Sequence, residues 1–527
     1  MNLLKATGTI GGLTLLSRVL GLVRDSLFAR YIGASFASDA FLVAFRLPNM
    51  FRALFAEGAF ASAFIPMFNQ KVGDPEGRGL PDGMAFAEQA LAVLLPVLLF
   101  MTVLLEVFAW PVTFALSGKF NGVTRDQFAF AVELSRYTIP YLMLISLVSL
   151  FGGILNSLHK FWVNAAAPIL LNVAMVTALL FFHGDPYETA RAQAVAIPAG
   201  GLLQLAWLWI ACRGAGVSLK LRMPRLDDDV RRLMKLILPA AAGAGAVQIN
   251  LVVSTALAGG LLAEGSISYI YYADRLNQLP LGLIGIGLGT ILLPTISRLL
   301  GQGREEEAME TQNRGIELAL FLTLPAMAAL VIAAEPIVRG LFQHGAFDAS
   351  DTAKCAWALS AFSIGLPAYV LVKVLTPGYY ARQDTATPVR YATISIGVNL
   401  VGNLILIPLI AHVGPPLATA LASTVNVWML YRTLKQRGDF VADAQLKRRI
   451  PRLAIAAILM GAALFAGDRL LDPWLTGTLW ERFVGLGALV AGGGAIYVLA
   501  CFVTRAFRLD DIKALIRKRR PTDGIQE

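Results

Sequence analysis

Phe161-Trp-Val-Asn-Ala-Ala-Ala-Pro-Ile-Leu-Leu-Asn-Val-Ala-Met-Val-Thr-Ala-Leu-Leu-Phe-Phe182 runs for 22 residues without a charged side chain. At the α-helical rise this stretch is about 33 Å long, enough to cross the roughly 30 Å of hydrocarbon in a bilayer. Runs of this kind recur along the whole chain of 527 residues, of which 56% are apolar and 15% charged. Soluble domains sit near about 50% apolar and about 25% charged, so the departure is in both directions at once. Mean hydropathy is +0.63. The composition predicts an all-α polytopic membrane protein and excludes a cytosolic enzyme, a nucleic-acid-binding domain and a disulfide-stapled secreted module.

Reading apolar runs between polar breaks gives fourteen candidate spans: 6–32, 38–68, 84–115, 128–156, 161–183, 192–212, 237–262, 266–297, 315–335, 355–380, 388–411, 414–431, 452–468 and 483–504. Of the 45 basic residues, 30 fall in the two tails and in or at the edges of the even-numbered connections, and eight in or at the edges of those on the opposite side. By the positive-inside rule this asymmetry predicts that both termini are cytoplasmic. The connection 213–236 alone carries Arg213, Lys220, Arg222, Arg225, Arg231, Arg232 and Lys235. The start, Met1 to Lys5, is not read as a cleaved signal peptide, because Arg18 and Arg24 interrupt the apolar segment that follows. Cys212, Cys355 and Cys501 show no ligand or disulfide spacing.

The chain resembles itself at a shift of about 228 residues. Phe45-Arg46-Leu47-Pro48-Asn49 is answered by Asp274-Arg275-Leu276-Asn277-Gln278, and Phe64-Ile65-Pro66 by Leu292-Leu293-Pro294. Gly153 matches Gly378 and Asn172 matches Asn399. An even number of spans separates the copies, so both run in the same membrane direction, a parallel repeat of the kind seen in two-lobed transporters. The expected organisation is an N-lobe at 1–212, a basic cytoplasmic linker at 213–236, a C-lobe at 237–437, and spans 13–14 with a basic tail at 438–527.

A charged side chain at mid-bilayer is costly and normally faces a partner or a water-filled cavity. Span 1 carries Ser17, Arg18, Arg24 and Asp25, with Ser17 above Arg24 on one stripe and Arg18 above Asp25 on another. Span 2 carries Asp39, Arg46, Arg52 and Glu57, with Pro48 expected to bend the helix. Counted from the outer ends of their spans, Arg24, Arg52 and Arg275 lie about 13–20 Å deep, near the midplane. Guanidinium is permanently charged and can bind phosphate through two parallel hydrogen bonds, so arginines from both lobes suggest a phosphate-bearing anion as cargo. The alternative is that they tie helices together through Asp25, Asp39 and Glu57, and for Arg46, one face-step from Asp39, both readings stand. Arg136 and Lys373 lie close enough to span ends to snorkel. The run Gly282, Gly285, Gly287 and Gly289 reads as close helix packing or a hinge.

There is no G-x-x-x-x-G-K-[ST], no H-E-x-x-H and no G-x-S-x-G, and the four histidines are scattered. A transporter without a cofactor is expected rather than an enzyme.

Ser17-Arg18-Val19-Leu20-Gly21, Arg24-Asp25, Ser38-Asp39-Ala40-Phe41, Arg46-Leu47-Pro48-Asn49, Arg52 and Phe55-Ala56-Glu57-Gly58-Ala59-Phe60 resemble the MurJ/MviN family of lipid II flippases. The resemblance continues through Tyr271-Tyr272-Ala273-Asp274-Arg275-Leu276, Gly289-Thr290-Ile291-Leu292-Leu293-Pro294 and Pro377-Gly378-Tyr379-Tyr380-Ala381-Arg382-Gln383-Asp384, and weakens in the last two spans. It implies a multidrug/oligosaccharidyl-lipid/polysaccharide exporter fold in the bacterial inner membrane. The implied activity, in peptidoglycan biosynthesis, is moving the undecaprenyl-diphosphate-linked precursor lipid II to the periplasmic leaflet. It assigns essential cavity arginines to Arg18, Arg24, Arg52 and Arg275 and a functional aspartate to Asp39, with Ser17, Asp25 and Glu57 beside them. It also implies that spans 13 and 14 form a groove for the lipid tail. Where some members carry a glutamate three residues after the span-8 arginine, this chain has Gln278. Some members hold sodium between spans 7, 11 and 12 with carboxylates among the ligands. Here those positions offer Asn399, Asn403, Thr419, Ser254 and Thr255 and no carboxylate, so only a weak site is expected. The expected partners are lipid II and membrane lipids, with the chain acting as a monomer and binding no nucleic acid. Export of another polyprenyl-linked oligosaccharide or of a drug is the alternative, and a membrane glycosyltransferase acting on the same lipid is a further one.

Overall fold

The computed structural model describes residues 3–55, 59–73 and 77–506. In chain order the helices are α1 (Leu3–Ile32), α2 (Phe36–Phe55), α3 (Ala59–Val72), α4 (Leu80–Val107), α5 (Ala109–Ser117), α6 (Arg125–Thr138) and α7 (Tyr141–Ser157). There follow α8 (Phe161–Phe181), α9 (Pro186–Gly214), α10 (Asp228–Leu261), α11 (Ser266–Gly301), α12 (Glu305–Ile332), α13 (Ala334–Phe342) and α14 (Ala349–Ile364). The last are α15 (Leu366–Tyr380), α16 (Ala386–Ile410), α17 (Gly414–Arg437), α18 (Ala444–Leu470), α19 (Asp472–Leu475) and α20 (Leu479–Val503). Among the described residues no strand occurs.

The apolar runs of the sequence are helical in their described residues. Among the described residues ten helical stretches are long and apolar enough to cross a membrane, and one of them, Ala386–Arg437, has 52 residues, a length for two crossings. It is divided into α16 and α17 by a single 3₁₀ turn at Ala411–Val413. Three of the runs are each two helices: the breaks fall at Phe108, at Ile139-Pro140 and at Gly365. Proline explains them, since Pro111, Pro140 and Pro367 each lack the N–H that would bond the carbonyl four residues back. Helix starts are set by side chains that accept orphan N–H groups: Thr124 with Gln127 and Thr478 with Glu481 form capping boxes, and Asp185, Asp227 and Asp443 cap α9, α10 and α18.

The distribution of polarity is that of a protein dissolved in lipid. Phe181 is 76% exposed and Ile458 70%, whereas Gln193 and Gln204 are buried and donate to the Met175 and Ala167 carbonyls at 2.9 Å each. Buried amides that satisfy backbone groups, with large apolar side chains outside, suit a medium that offers no hydrogen bonds.

The chain forms two compact units. The first comprises Met1–Tyr269 and Phe342–Asp351, the second Ile270–Leu341 and Thr352–Glu527. In the first, α8 packs between α1 and α9, α2 lies on α6, α7 and α9, and α10 lies along α2, α3 and α5. In the second, α12 packs on α15 and α18, α16 on α17, and α18 on α20. A charge network around the buried Glu317 fastens α18 to α12: Glu317 pairs with Arg314 and Arg449, and Arg314 pairs with Asp443, the cap of α18.

Candidate functional site

The membrane charges of the first unit fall into three groups. On α1, Arg24 is 5% exposed; its Nε and Nη2 donate to Asp25 Oδ1 at 3.0 and 2.6 Å, and its Nη1 to Asn172 Oδ1 at 3.1 Å. Asn172 Nδ2 in turn donates to the Ser17 carbonyl at 3.0 Å, so α8 reads both ends of a two-turn stripe on α1. Gly21 lies between them, and a Cβ there would meet that amide at 3.8 Å, an ordinary contact. Asp25 thus pairs with its neighbour in sequence, and Arg18, one stripe away and half-buried, has no ion-pair or hydrogen-bond partner among the described residues.

The second group corrects the pairing considered for Arg46. Its Nη2 and Nε donate to Thr255 Oγ1 on α10, at 2.6 and 3.2 Å. Asp39, two turns away along α2, accepts instead from Gly265 N and Ser268 N at 2.8 Å each and from Ser268 Oγ at 2.6 Å. Seven residues of helix separate the two by about 10 Å, which places them with different partners. Glu264 Oε1 accepts from Phe36 N at 2.7 Å. Asp39 therefore caps the start of α11, and Glu264 the start of α2. The turn Gly265, at φ +83°, admits this contact: a Cβ there would fall 2.6 Å from the Ala34 carbonyl oxygen. The third group is Arg52 in the last turn of α2, half-buried, with Nε 3.5 Å from Asn49 Oδ1. Helix α2 runs on through Pro48. Glu57 lies outside the described residues.

In the second unit, Arg275 Nε donates to Tyr271 Oη at 3.1 Å with its guanidinium 5.2 Å from the ring centroid. Gln278 Nε2 donates to Asp274 Oδ2 at 2.5 Å, so a carboxylate remains on that face of α11 where some relatives add a glutamate. Within the glycine run Gly285 packs closely, since a Cβ there would stand 2.9 Å from Lys373 Nζ. Asn399 Nδ2 donates to Thr419 Oγ1 at 3.1 Å and Asn403 Nδ2 to Asn399 Oδ1 at 3.3 Å. The three sodium candidates are brought together, but as a chain of amide donors; Thr255, offered with them from the sequence, is bound to Arg46.

The residues that the sequence did not assign are Asn172, Gly265 and Ser268, while Thr255 was offered only as a sodium candidate and holds Arg46 instead. Asn172 was visible as the repeat counterpart of Asn399, and Ser268 stands one repeat length from Asp39.

A profile of the family described as lipid II flippase MurJ matches residues 28–485. The chain belongs to the MurJ family of lipid II flippases. A probable lipid II flippase MurJ of Rhizobium tropici is 40% identical over 528 residues, covering 99% of this chain and 98% of the relative. A lipid II flippase MurJ of Burkholderia cenocepacia is 36% identical over 476 residues, covering 88% and 90%. A MurJ structure in an inward closed conformation superposes with TM-score 0.76 at 24% identity, over 94% of this chain and 98% of that one. The fold is thus the MurJ fold, and Arg24, Asp39, Arg52 and Arg275 all sit in helices of it.

Proposed function

We propose that this chain carries lipid II across the bacterial inner membrane from the cytoplasmic to the periplasmic leaflet by alternating access. Membership of the MurJ family, carried by the match over residues 28–485, makes it a lipid II flippase, a multi-pass transporter and not an enzyme. In our reading residues 1–212 and 237–437 are the alternating lobes, 213–236 joins them, 438–527 is an addition, both termini are cytoplasmic, and the working form is a monomer.

The cations this reading assigns to the diphosphate are Arg18, Arg24, Arg52 and Arg275. Arg18, Arg52 and Arg275 are half-buried, which suits groups that meet a polar ligand from within the protein. Arg24 is committed to Asp25 and Asn172, so its part is to exchange those bonds for phosphate oxygens or to hold α1 and α8 in register for Arg18. Ser17, Asp25, Asp39 and Glu57 are assigned supporting roles. Each charge-assisted hydrogen bond to phosphate contributes about 1.5–3 kcal/mol, and the planar fork of arginine is what lysine cannot supply.

The test is depletion in cells followed by measurement of which leaflet holds lipid II. Accumulation on the cytoplasmic side, reversed by the wild-type chain and not by Arg52→Ala or Arg275→Ala at equal protein level, is expected. Unchanged lipid II distribution on depletion would overturn the reading.

A further inference from the structure

Between α9 and α10 the chain crosses residues 215–227 as an extended strap, and its attachment is unusual in which side it turns inward. Two buried side chains of α4 hold it. Glu88 Oε1 accepts from Lys220 N at 3.0 Å, and Glu88 Oε2 pairs with Arg222 Nε at 2.5 Å. Gln89 Nε2 donates to the Arg225 carbonyl at 2.6 Å. The ends are fixed as well: Val217 is buried, Asp227 caps α10, and Asp229 pairs with Lys71 at 2.8 Å.

With its polar edge on α4, the middle of the strap leaves three apolar side chains outside. Leu221 is 72% exposed, Met223 80% and Leu226 61%. Arg222, itself half exposed, reaches Glu88 from between Leu221 and Met223, whose side chains stay outside. A loop facing water would gain by the opposite arrangement, since burying a side chain of this kind contributes about 1.5–3 kcal/mol.

Two independent markers place the strap at the membrane boundary. Helix α4 has 28 residues, and from Ala90 to its end at Val107 it measures about 27 Å, close to the full hydrocarbon thickness. Glu88 and Gln89 therefore stand at the edge of that layer. Trp209, in the last turns of α9 and 43% exposed, lies with the Arg213 guanidinium 3.9 Å from its ring centroid, an aromatic and a cation at headgroup depth.

Residues 213–236 carry seven basic and three acidic residues. Two of the acids are engaged, Asp227 as a cap and Asp229 with Lys71, and Asp228 is fully exposed, 3.7 Å from Arg231. Lys220, Arg225, Arg232 and Lys235 have no carboxylate partner among the described residues. We infer that the 215–227 strap is a docking surface for anionic phospholipid, with Leu221, Met223 and Leu226 inserted among the acyl chains and Lys220, Arg225, Arg232 and Lys235 on the headgroup phosphates. Our orientation names the leaflet as the inner one; the contact itself does not depend on transport.

The experiment uses the full chain carrying Met223→Cys, labelled with an environment-sensitive fluorophore; Cys212, Cys355 and Cys501 are buried, and an unlabelled-site control confirms selectivity. The protein is placed in nanodiscs of phosphatidylcholine alone or with phosphatidylglycerol, with brominated acyl chains as quencher. At least twofold stronger quenching in the anionic discs is expected, falling to the neutral level when Arg225, Arg232 and Lys235 are changed to Gln. Glu88→Gln, which releases the strap's inner edge, is expected to lower quenching at Met223 while the assembled fraction on size exclusion stays unchanged. Water-exposed emission without quenching in both lipids would overturn the proposal. So would quenching indifferent to lipid charge, or shielded emission without bromine quenching, the mark of a protein partner.

Discussion

The hydroxyls of Ser38 and Ser268 meet at 2.7 Å, although 230 residues lie between them, a separation close to the period at which the chain repeats itself. The same neighbourhood holds two reciprocal caps: Asp39 of α2 accepts from the first N–H groups of α11, and Glu264, just before α11, accepts from Phe36 N at the start of α2. Corresponding helix starts from the two copies of the repeat thus cap each other. Each carboxylate also faces the positive end of the partner helix, which adds a favourable electrostatic contribution.

This pairing predicts a conformational lock. Cysteines at Ser38→Cys and Ser268→Cys should form a disulfide under mild oxidation, stop flipping by at least tenfold, and release it on reduction. Full transport by a protein shown by mass to be crosslinked would mean that the α2–α11 contact need not open during the cycle.

A second prediction separates structure from transport at Arg24. Truncating it leaves the buried Asp25 carboxylate without its partner, and breaking a buried pair costs about 3–5 kcal/mol. Arg24→Ala should therefore lower the amount of inserted protein as well as activity. Arg24→Ala combined with Asp25→Asn should restore the protein level, read by immunoblot, but not lipid II flipping. Restored flipping in the double variant would remove Arg24 from the substrate's partners.

Much of this fold is legible in the sequence because crossing a bilayer demands long uncharged runs, and such runs are visible one residue at a time. The breaks at Phe108, Ile139 and Gly365 follow from prolines, yet a proline inside a membrane helix such as Pro48 leaves no break, so the residue alone does not mark one. The partners of the charges are less legible. Asp39 and Arg46 share a face of one helix, but backbone N–H groups at Gly265 and Ser268 and the hydroxyl of Thr255 lie closer in space. Only the repeat period hints at these pairs, by matching the turn before α2 with the turn before α11.

The network under α18 predicts an effect on stability rather than on transport. Glu317 is 2% exposed and pairs with Arg314 and Arg449. Arg449→Ala should lower the thermal unfolding temperature in detergent, because a buried carboxylate loses one of its two cations. Replacing the pair together, Glu317→Leu with Arg449→Leu, should recover much of the loss, since well-packed apolar residues of similar size often match a buried ion pair. A double variant no better than the single one would show that α18 is held elsewhere.

Acid should loosen the turn between α15 and α16. Arg437 and Thr387 hold the Asp384 carboxyl below its ordinary 3.8, at about 2. A depressed carboxylate contributes stability that is present above its unfolded value and is lost as pH falls from about 4 toward 2. The difference in thermal stability between wild type and Asp384→Asn should be constant from pH 7 to 5 and shrink below pH 4. The site is exposed, so the difference is small, and one that grew on acidification would contradict the assignment.

The energy source is the last expectation. The Asn399, Asn403 and Thr419 cluster bonds to itself through amide donors and offers no carboxylate, a poor cradle for sodium. The membrane potential suits the charges of this chain better. A diphosphate moving outward from a negative interior gains about 2.3 kcal/mol per charge per 100 mV if it crosses the whole field. Once the proposed cargo leaves, Arg18, Arg52 and Arg275 would remain, with Arg24 balanced by Asp25, and the same field would draw their positive charge back toward the cytoplasm and reset the carrier. Proteoliposomes under an imposed potassium diffusion potential should therefore externalise lipid II in sodium-free buffer, with a rate that rises with the potential. Transport that ignores the potential and follows an imposed sodium gradient would place the work in a cation site instead.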